Sequence, residues 1–220
     1  KDFCFLITAR KNSKRIKNKN MVSFNGNPII FYTFKSILEL DIANNSYLSS
    51  DDEKIIEYSK KFGIKILFKR PKNLSTSKSQ TIDVIKHFLK ELNKLNIKYK
   101  YIVLLQPSSP LRKAETIKNA CKFFKENNCN SLISISKLPF NSKHLTKPHK
   151  NRISKSNVDK MLKKNEEMNF INGAVYIYKI KSILKSKSMY FKYNHFYTMP
   201  FLESVDIDTE EDLNLAKKLF

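Results

Sequence analysis

Short apolar runs alternate along most of the chain with longer segments in which apolar residues recur every three or four positions. Phe3-Cys4-Phe5-Leu6-Ile7 is an unbroken run of aromatic, aliphatic and β-branched residues, the composition of a strand covered on both faces. Asn27 is expected to cap a helix whose first residue is Pro28, and Ile29, Ile30, Phe34, Ile37 and Leu38 recur at helical spacing through Leu40. Tyr47-Leu48-Ser49 predicts a second strand. Ile55, Ile56, Tyr58 and Phe62 mark the inward face of a helix that Gly63 ends. A third strand is expected at Ile64-Lys65-Ile66-Leu67-Phe68, a helix over 81–96 with Ile82, Ile85, Leu89, Leu92 and Leu95 in one stripe, and a central strand at Tyr101-Ile102-Val103-Leu104-Leu105.

Helix is expected over 114–127 and strand over 131–136. From 137 to 169 the rhythm fails, and Pro139, Pro148 and Lys/Asn runs separate sparse apolar residues. Alternation resumes with a strand over 173–178 and a short helix near Ile183; Met199-Pro200-Phe201 and Ser204-Val205-Asp206-Ile207 read as short extended pieces. Thr209 caps a last helix with acidic residues in its first turn, where they favour the positive helix end. Strands alternating with helices predict a three-layer α/β chain with a mostly parallel sheet. At 220 residues it is expected to form one domain over 1–220.

Two loops leave predicted strand ends without apolar periodicity. Thr8 to Asn20 carries Arg10, Lys14 and Lys19 among hydroxyl and amide side chains, and open α/β sheets bind ligands at such carboxyl ends. Cations and backbone N–H groups together stabilise polyphosphate oxygens, whereas charge alone fits a solvated basic loop equally well. Gln106-Pro107-Ser108-Ser109-Pro110 cannot continue a strand or start a regular helix at once, so it is a rigid turn. Asp206 and Asp208 are hard oxygen ligands of the kind Mg²⁺ takes alongside phosphate; by itself, Asp208 would serve only to cap the last helix.

Composition changes the picture in one respect. Hydrophobic content of 41% and charged content of 28% are ordinary for a globular protein, but the formal charge of +22 points to an anionic partner. Because the lysines are scattered over every predicted helix and only 3 glycines are present, compositional drift accounts for most of that charge. A nucleic-acid-binding module would gather cations around exposed aromatics, and here the aromatics fall mostly at strand and core positions. Cys4, Cys121 and Cys129 have no metal-ligand or redox spacing and fit a reducing cytoplasm, with neither a membrane span nor a signal peptide expected.

Ala9-Arg10-x-x-Ser13-Lys14 followed by Lys19-Asn20, then Leu104-Leu105-Gln106-Pro107-Ser108-Ser109-Pro110-Leu111-Arg112, then Asp206-Ile207-Asp208-Thr209-Glu210-Glu211-Asp212-Leu213, resemble the acylneuraminate cytidylyltransferase (CMP-sialic acid synthetase) family in order and distance. The resemblance implies a Rossmann-like nucleotide-diphospho-sugar transferase-type fold. It implies transfer of CMP from CTP to a nine-carbon 2-keto-3-deoxy sugar, with pyrophosphate released and Mg²⁺ as cofactor. Arg10, Lys14 and Lys19 would hold phosphates, Asn20 would contact the nucleotide, and Arg70 and Thr81 would lie near the base. Gln106, Ser108 and Ser109 would face nucleotide and sugar, Asn172 and Tyr176 the sugar, and Asp206 and Asp208 the metal. Arg112 reads as a packing or surface residue. The segment over 137–170 would be a dimerisation arm, placing Lys160, Lys163 or Lys164 near a neighbour's substrate in a homodimer.

The sequence departs from the family pattern at three places. Arg15 stands where glycine is usual and Ser77 where Asp is frequent. The approach to Asn172-Gly173 reads Met168-Asn169-Phe170-Ile171, without the arginines used for the sugar's carboxylate. The alternatives are a same-fold nucleotidyltransferase acting on another sugar and a basic nucleic-acid-binding protein.

Overall fold

The computed structural model describes residues 2–139 and 168–220. Most of the segment expected to form the dimerisation arm lies outside them. Six strands form one sheet: β1 (Phe3–Ala9), β4 (Ser46–Ser50), β5 (Tyr101–Leu105), β6 (Ser131–Lys137), β7 (Asn169–Lys179) and β8 (His195–Thr198), in the order β4-β1-β5-β7-β6-β8. β1 runs parallel to β4 and β5, and β6 parallel to β8, while β7 is antiparallel to both β5 and β6. The carboxyl ends of β4, β1 and β5 therefore share one edge, and the amino-terminal part of β7 reaches the same edge from the opposite direction.

Alternate residues of a strand face opposite ways, and both faces are buried. Phe5, Ile7, Val103, Leu105, Val175 and Ile177 pack under α1 (Ile29–Glu39), α2 (Glu53–Lys60) and α4 (Ala114–Glu126). Cys4, Leu6, Ile102, Leu104, Tyr176 and Tyr178 pack under α3 (Thr81–Lys94) and the short α5 (Ile180–Lys185). The result is the expected α/β arrangement of a mostly parallel sheet between two helical layers. A third cluster joins Ile16, Phe24, Ile29 and Tyr32 to Ile207, Leu213 and Ala216, the last two on α6 (Glu210–Leu219). Thr209 and Asp212 form the capping box that starts α6.

Three local expectations are corrected and one strand is added. Ser23–Phe24 (β2) and Asn27–Pro28 (β3) pair as a hairpin whose turn residues Asn25 and Gly26 have φ of 45° and 84°. A two-residue turn with both φ positive suits Asn-Gly, so Pro28 is the N-cap and the helix starts at Ile29. Of the expected strand over 64–68, only Lys65 bridges to Tyr47. The chain then bends so that Arg70 N–H can donate to Ser50 O at 2.8 Å. Phe201–Ser204 is a 3-10 turn rather than an extended piece. β8 is an additional, mostly exposed edge strand whose pattern does not alternate cleanly.

β7 carries one irregularity. Ile133 opposes Tyr176 but Ile135 opposes Ile171, so the ladder shifts around Asn172-Gly173-Ala174. Asn172 bridges the gap: its Oδ1 accepts from Ser134 Oγ (2.6 Å) and Ala174 N–H (3.1 Å), and its Nδ2 donates to Ser136 Oγ (2.9 Å). Ser134 Oγ in turn accepts from Val175 N–H at 2.9 Å. All these groups are buried. Asn172→Ala is expected to lower unfolding stability by about 1–3 kcal/mol, the usual penalty for stranding buried donors and acceptors. A urea-denaturation midpoint equal to wild type would show that the bulge does not need this amide.

Candidate active site

The cations that leave β1 are gathered by three anchors. Ile16 is buried in the third cluster, and removing such a side chain from water contributes roughly 1.5–3 kcal/mol. Asn18 takes a left-handed φ of 54°, which Asn tolerates, and turns the chain back. Asn20, itself buried, donates from Nδ2 to Arg10 O at 3.2 Å and closes the loop. Lys19 then points inward, donating to Ile207 O at 2.7 Å and to Asp208 Oδ1 at 2.9 Å. Arg15 reaches the other oxygen of Asp208 at 2.5 Å from a largely exposed position.

Opposite this loop, the chain after β4 carries Arg70. Its Nε donates to Ser49 Oγ at 2.9 Å and its Nη2 to Ser49 O. Burial pushes its guanidinium down to about 10, partly offset by the Asp51 carboxylate and reinforced by Arg10. Arg10 Nη1 donates to Thr76 O at 2.9 Å, and Ser79 Oγ donates to Asn73 O at 2.9 Å, which holds the Ser/Thr-rich turn as a wall.

Between these walls lies a cleft of about 370 Å³ at the sheet's carboxyl edge. Arg10, Lys14, Lys19, Asn20, Arg70, Thr81, Gln106, Ser108 and Asp208 all line it, so most of the sequence-derived candidates converge from four separate stretches. Arg15 and Ser77, the two positions at which the loop residues depart from the family pattern, also line it. Five cationic side chains face one acidic one here, a composition suited to a polyphosphate.

The remaining candidates lie behind the cleft. Asp206 hydrogen-bonds the Ser108 side chain, and its Oδ1 is buried without a partner among the described residues. Burial holds its carboxyl above the usual range, against the Ser108 hydrogen bond and the Lys19 charge that pull it down. Ser109 is buried and its hydroxyl is likewise unpartnered among the described residues. Tyr176 is buried in the second cluster, and its phenol is pushed up by burial and by neighbouring Tyr190 and Asp206. Asn172 has its amide engaged within the sheet, as described above. Gly173, at φ 75°, sits where an added Cβ would lie 3.4 Å from Gln106 Oε1 and 3.7 Å from Tyr176 OH, so Gln106, Gly173 and Tyr176 are neighbours.

Sequence reasoning missed two contributors. Arg112 is not a surface residue: it is almost fully buried and donates to Gln106 O, Ala174 O and Thr33 Oγ1. Arg15 was noted only as a departure, yet it binds Asp208 across the cleft. The contacts of Arg112 with Thr33 and Ala174, and of Arg15 with Asp208, have no sequence signal because these partners are remote in the chain.

A family model described as Cytidylyltransferase matches residues 4–220. Pseudaminic acid cytidylyltransferase of Campylobacter jejuni subsp. jejuni serotype O:2 is 29% identical, covering 100% of this chain and 96% of that protein. CMP-N,N′-diacetyllegionaminic acid synthase of Legionella pneumophila is also 29% identical, covering 97% and 94%. An N-acylneuraminate cytidylyltransferase of Streptococcus agalactiae serotype V is 28% identical over 94% of this chain and 50% of its own length. A solved CMP:2-keto-3-deoxy-manno-octonic acid synthetase complexed with CTP shares the fold at a TM-score of 0.70 and 12% identity, covering 100% of this chain and 98% of that one. With the family model matching nearly from end to end, the chain belongs to the cytidylyltransferase family and is a nucleotidyltransferase.

Proposed function

We propose that this enzyme transfers CMP from CTP to a sialic-acid-like nine-carbon 2-keto-3-deoxy sugar, giving a CMP-activated sugar for surface glycan synthesis. The observation that carries this reading is the cationic cleft itself, with Lys19 fixed on Asp208 and three further motif cations around the same space. The names of the relatives, all cytidylyltransferases or CMP-sugar synthases of such acids, support the sugar class. In the reaction, a sugar hydroxyl oxygen bonds to the α-phosphorus of CTP. The bond from that phosphorus to the α–β bridging oxygen breaks, pyrophosphate leaves with the electron pair, and the hydroxyl proton passes to solvent.

Catalysis of such transfer is chiefly positioning and charge stabilisation. Arg10, Lys14 and Lys19 hold the triphosphate, and Lys19 arrives already oriented by its two acceptors. Asn20 and Arg70 bound the nucleotide end, with Thr81 at the head of α3 beside it. Gln106 and Ser108 stand between nucleotide and sugar, with Ser109, Asn172 and Tyr176 behind them.

Asp206 and Asp208 would hold Mg²⁺. The buried Oδ1 of Asp206, without a partner among the described residues, is a hard oxygen lacking a donor, and Asp208 is the acidic side chain that lines the cleft, its oxygens now on Arg15 and Lys19. Mg²⁺ takes one or two carboxylates plus phosphate oxygens and water, so two carboxylates beside a bound triphosphate would suffice. When bound, the ion neutralises charge developing on the departing pyrophosphate. A homodimer in which residues 137–170 form the arm completes the proposal, with Lys160, Lys163 or Lys164 supplying a positive charge for the sugar's carboxylate.

Pyrophosphate release should be detected with CTP and Mg²⁺, and not with UTP, ATP or GTP, when N-acetylneuraminate, pseudaminic acid or N,N′-diacetyllegionaminic acid is supplied. Turnover with CTP and a different sugar alone would keep the enzyme class and overturn the acceptor. Asp208→Asn is expected to lower kcat by roughly 100-fold or more, in the range seen when one charge-stabilising group is removed. Near wild-type kcat would remove Asp208 from the site.

Asp206→Asn should raise the melting temperature at pH 7 while lowering activity. Its folded carboxyl is held above the unfolded value, so its favourable contribution is complete below about pH 3.9 and is lost as pH rises through the folded value. At pH 7 the buried charge is therefore a liability that Asn removes, and at pH 3 the gain should vanish. A melting temperature unchanged at both pH values would contradict this. Light scattering at micromolar concentration should give twice the chain mass, and a monomer would end the dimer proposal.

A further inference from the structure

We propose that Arg112 is a positioning residue for the transfer reaction: its buried guanidinium replaces a missing rung between β5 and β7 and thereby sets where the Gln106 side chain stands. This rests on the proposed role of Gln106 between nucleotide and sugar.

The two strands pair from Tyr101 opposite Lys179 to Leu105 opposite Val175. Gln106 and Ala174 would form the next pair, but the ladder stops there. The Ala174 N–H, which would donate to Gln106 O in such a pair, is turned to Asn172 Oδ1, and Pro107 has no N–H to carry the ladder further. Two carbonyls are thus left facing inward, and Arg112 Nη1 serves both, donating to Gln106 O at 3.0 Å and to Ala174 O at 2.8 Å. Its Nη2 donates to Thr33 Oγ1 at 2.9 Å, which braces the guanidinium against α1. One planar group therefore spans three elements, a geometry that a lysine ammonium cannot reproduce at all three acceptors.

Arg112 has no carboxylate partner among the described residues, and burial pushes its guanidinium down to about 10. Its Nε also lacks a partner there. A buried charge held only by neutral oxygens is costly, and an apolar side chain would fill the same space with less penalty. What the guanidinium supplies instead is a fixed separation between two backbone segments at the cleft floor. Gly173, flanking Ala174, has no side chain, and the Gln106 amide rests over it, 3.4 Å from where a Cβ would be. Shifting either carbonyl moves Gln106 relative to that glycine, and displacement of a substrate contact by about 1 Å can cost about 100-fold in rate.

The test uses full-length Arg112→Lys and the milder, isosteric Thr33→Val, each alone and combined with Gln106→Ala. Turnover is measured with CTP and whichever of the three sugar acids above is used fastest, at a temperature below the melting transition of every variant. Arg112→Lys should lower kcat by about 10- to 100-fold and Thr33→Val by about 3- to 10-fold, with the dissociation constant for CTP within about twofold of wild type. In the Gln106→Ala background neither substitution should lower kcat further. Full additivity in that background would overturn the positioning role while leaving Gln106 in the site. Gln106→Ala with wild-type kcat and sugar KM would instead remove Gln106 from the site, and the proposal with it. Loss of CTP binding in parallel with kcat for both Thr33→Val and Arg112→Lys would show a general structural role and also overturn it.

Discussion

The contact between Lys19 and Asp208 joins residues 189 positions apart and fixes the geometry of everything around it. The loop from Arg10 to Lys19 carries six cations, Arg10, Lys11, Lys14, Arg15, Lys17 and Lys19, which repel one another when brought together. Burial of Ile16 and the Asn20–Arg10 hydrogen bond fold the loop, and Asp208 supplies the opposite charge that makes its inward orientation stable. Lys19 is mostly shielded from solvent, so this pair is weakened less by salt than the outer Arg15 pair. The last helix is part of the same device, because its capping box and the backbone bond from Ile207 N–H to Ser108 O hold Asp208 at the mouth of the cleft.

The sheet explains why the site lies where it does. β4, β1 and β5 end on one edge; the loops after β1 and β5 supply the cationic loop and the Gln-Pro-Ser-Ser turn, and the segment after α2 returns to the end of β4 as the Ser/Thr wall. β7, running the other way, brings Asn172 and Gly173 to the floor behind them. The chain belongs to the cytidylyltransferase family, and this edge gathers five cationic side chains around one cleft, a composition suited to a polyphosphate.

Much of this was legible in the sequence because strong periodicity reports burial. β1, β5 and α3 are covered on the faces their apolar residues specify. The expected strand over 64–68 failed because its apolar residues pack against the core from an irregular path, and only Lys65 bridges to the sheet, at Tyr47. Asn25-Gly26 carried a readable hairpin signal, but strands of two residues leave no alternation to read. β8 was hidden because an exposed edge strand has little reason to alternate. Within the site, motif spacing found the cations and Asp208. It could not find Arg112's acceptors on Thr33 and Ala174 or Arg15's partner, which depend on tertiary approach.

The proposed transfer requires CTP to bind in the cationic cleft, held by the β1 loop. Amide hydrogen exchange with and without CTP, in the absence of sugar, tests it most directly. Protection is expected in residues 8–20, 70–81 and 106–108, with the β8 edge and α5 unchanged. Protection confined to other elements, or none at saturating CTP, would contradict the account.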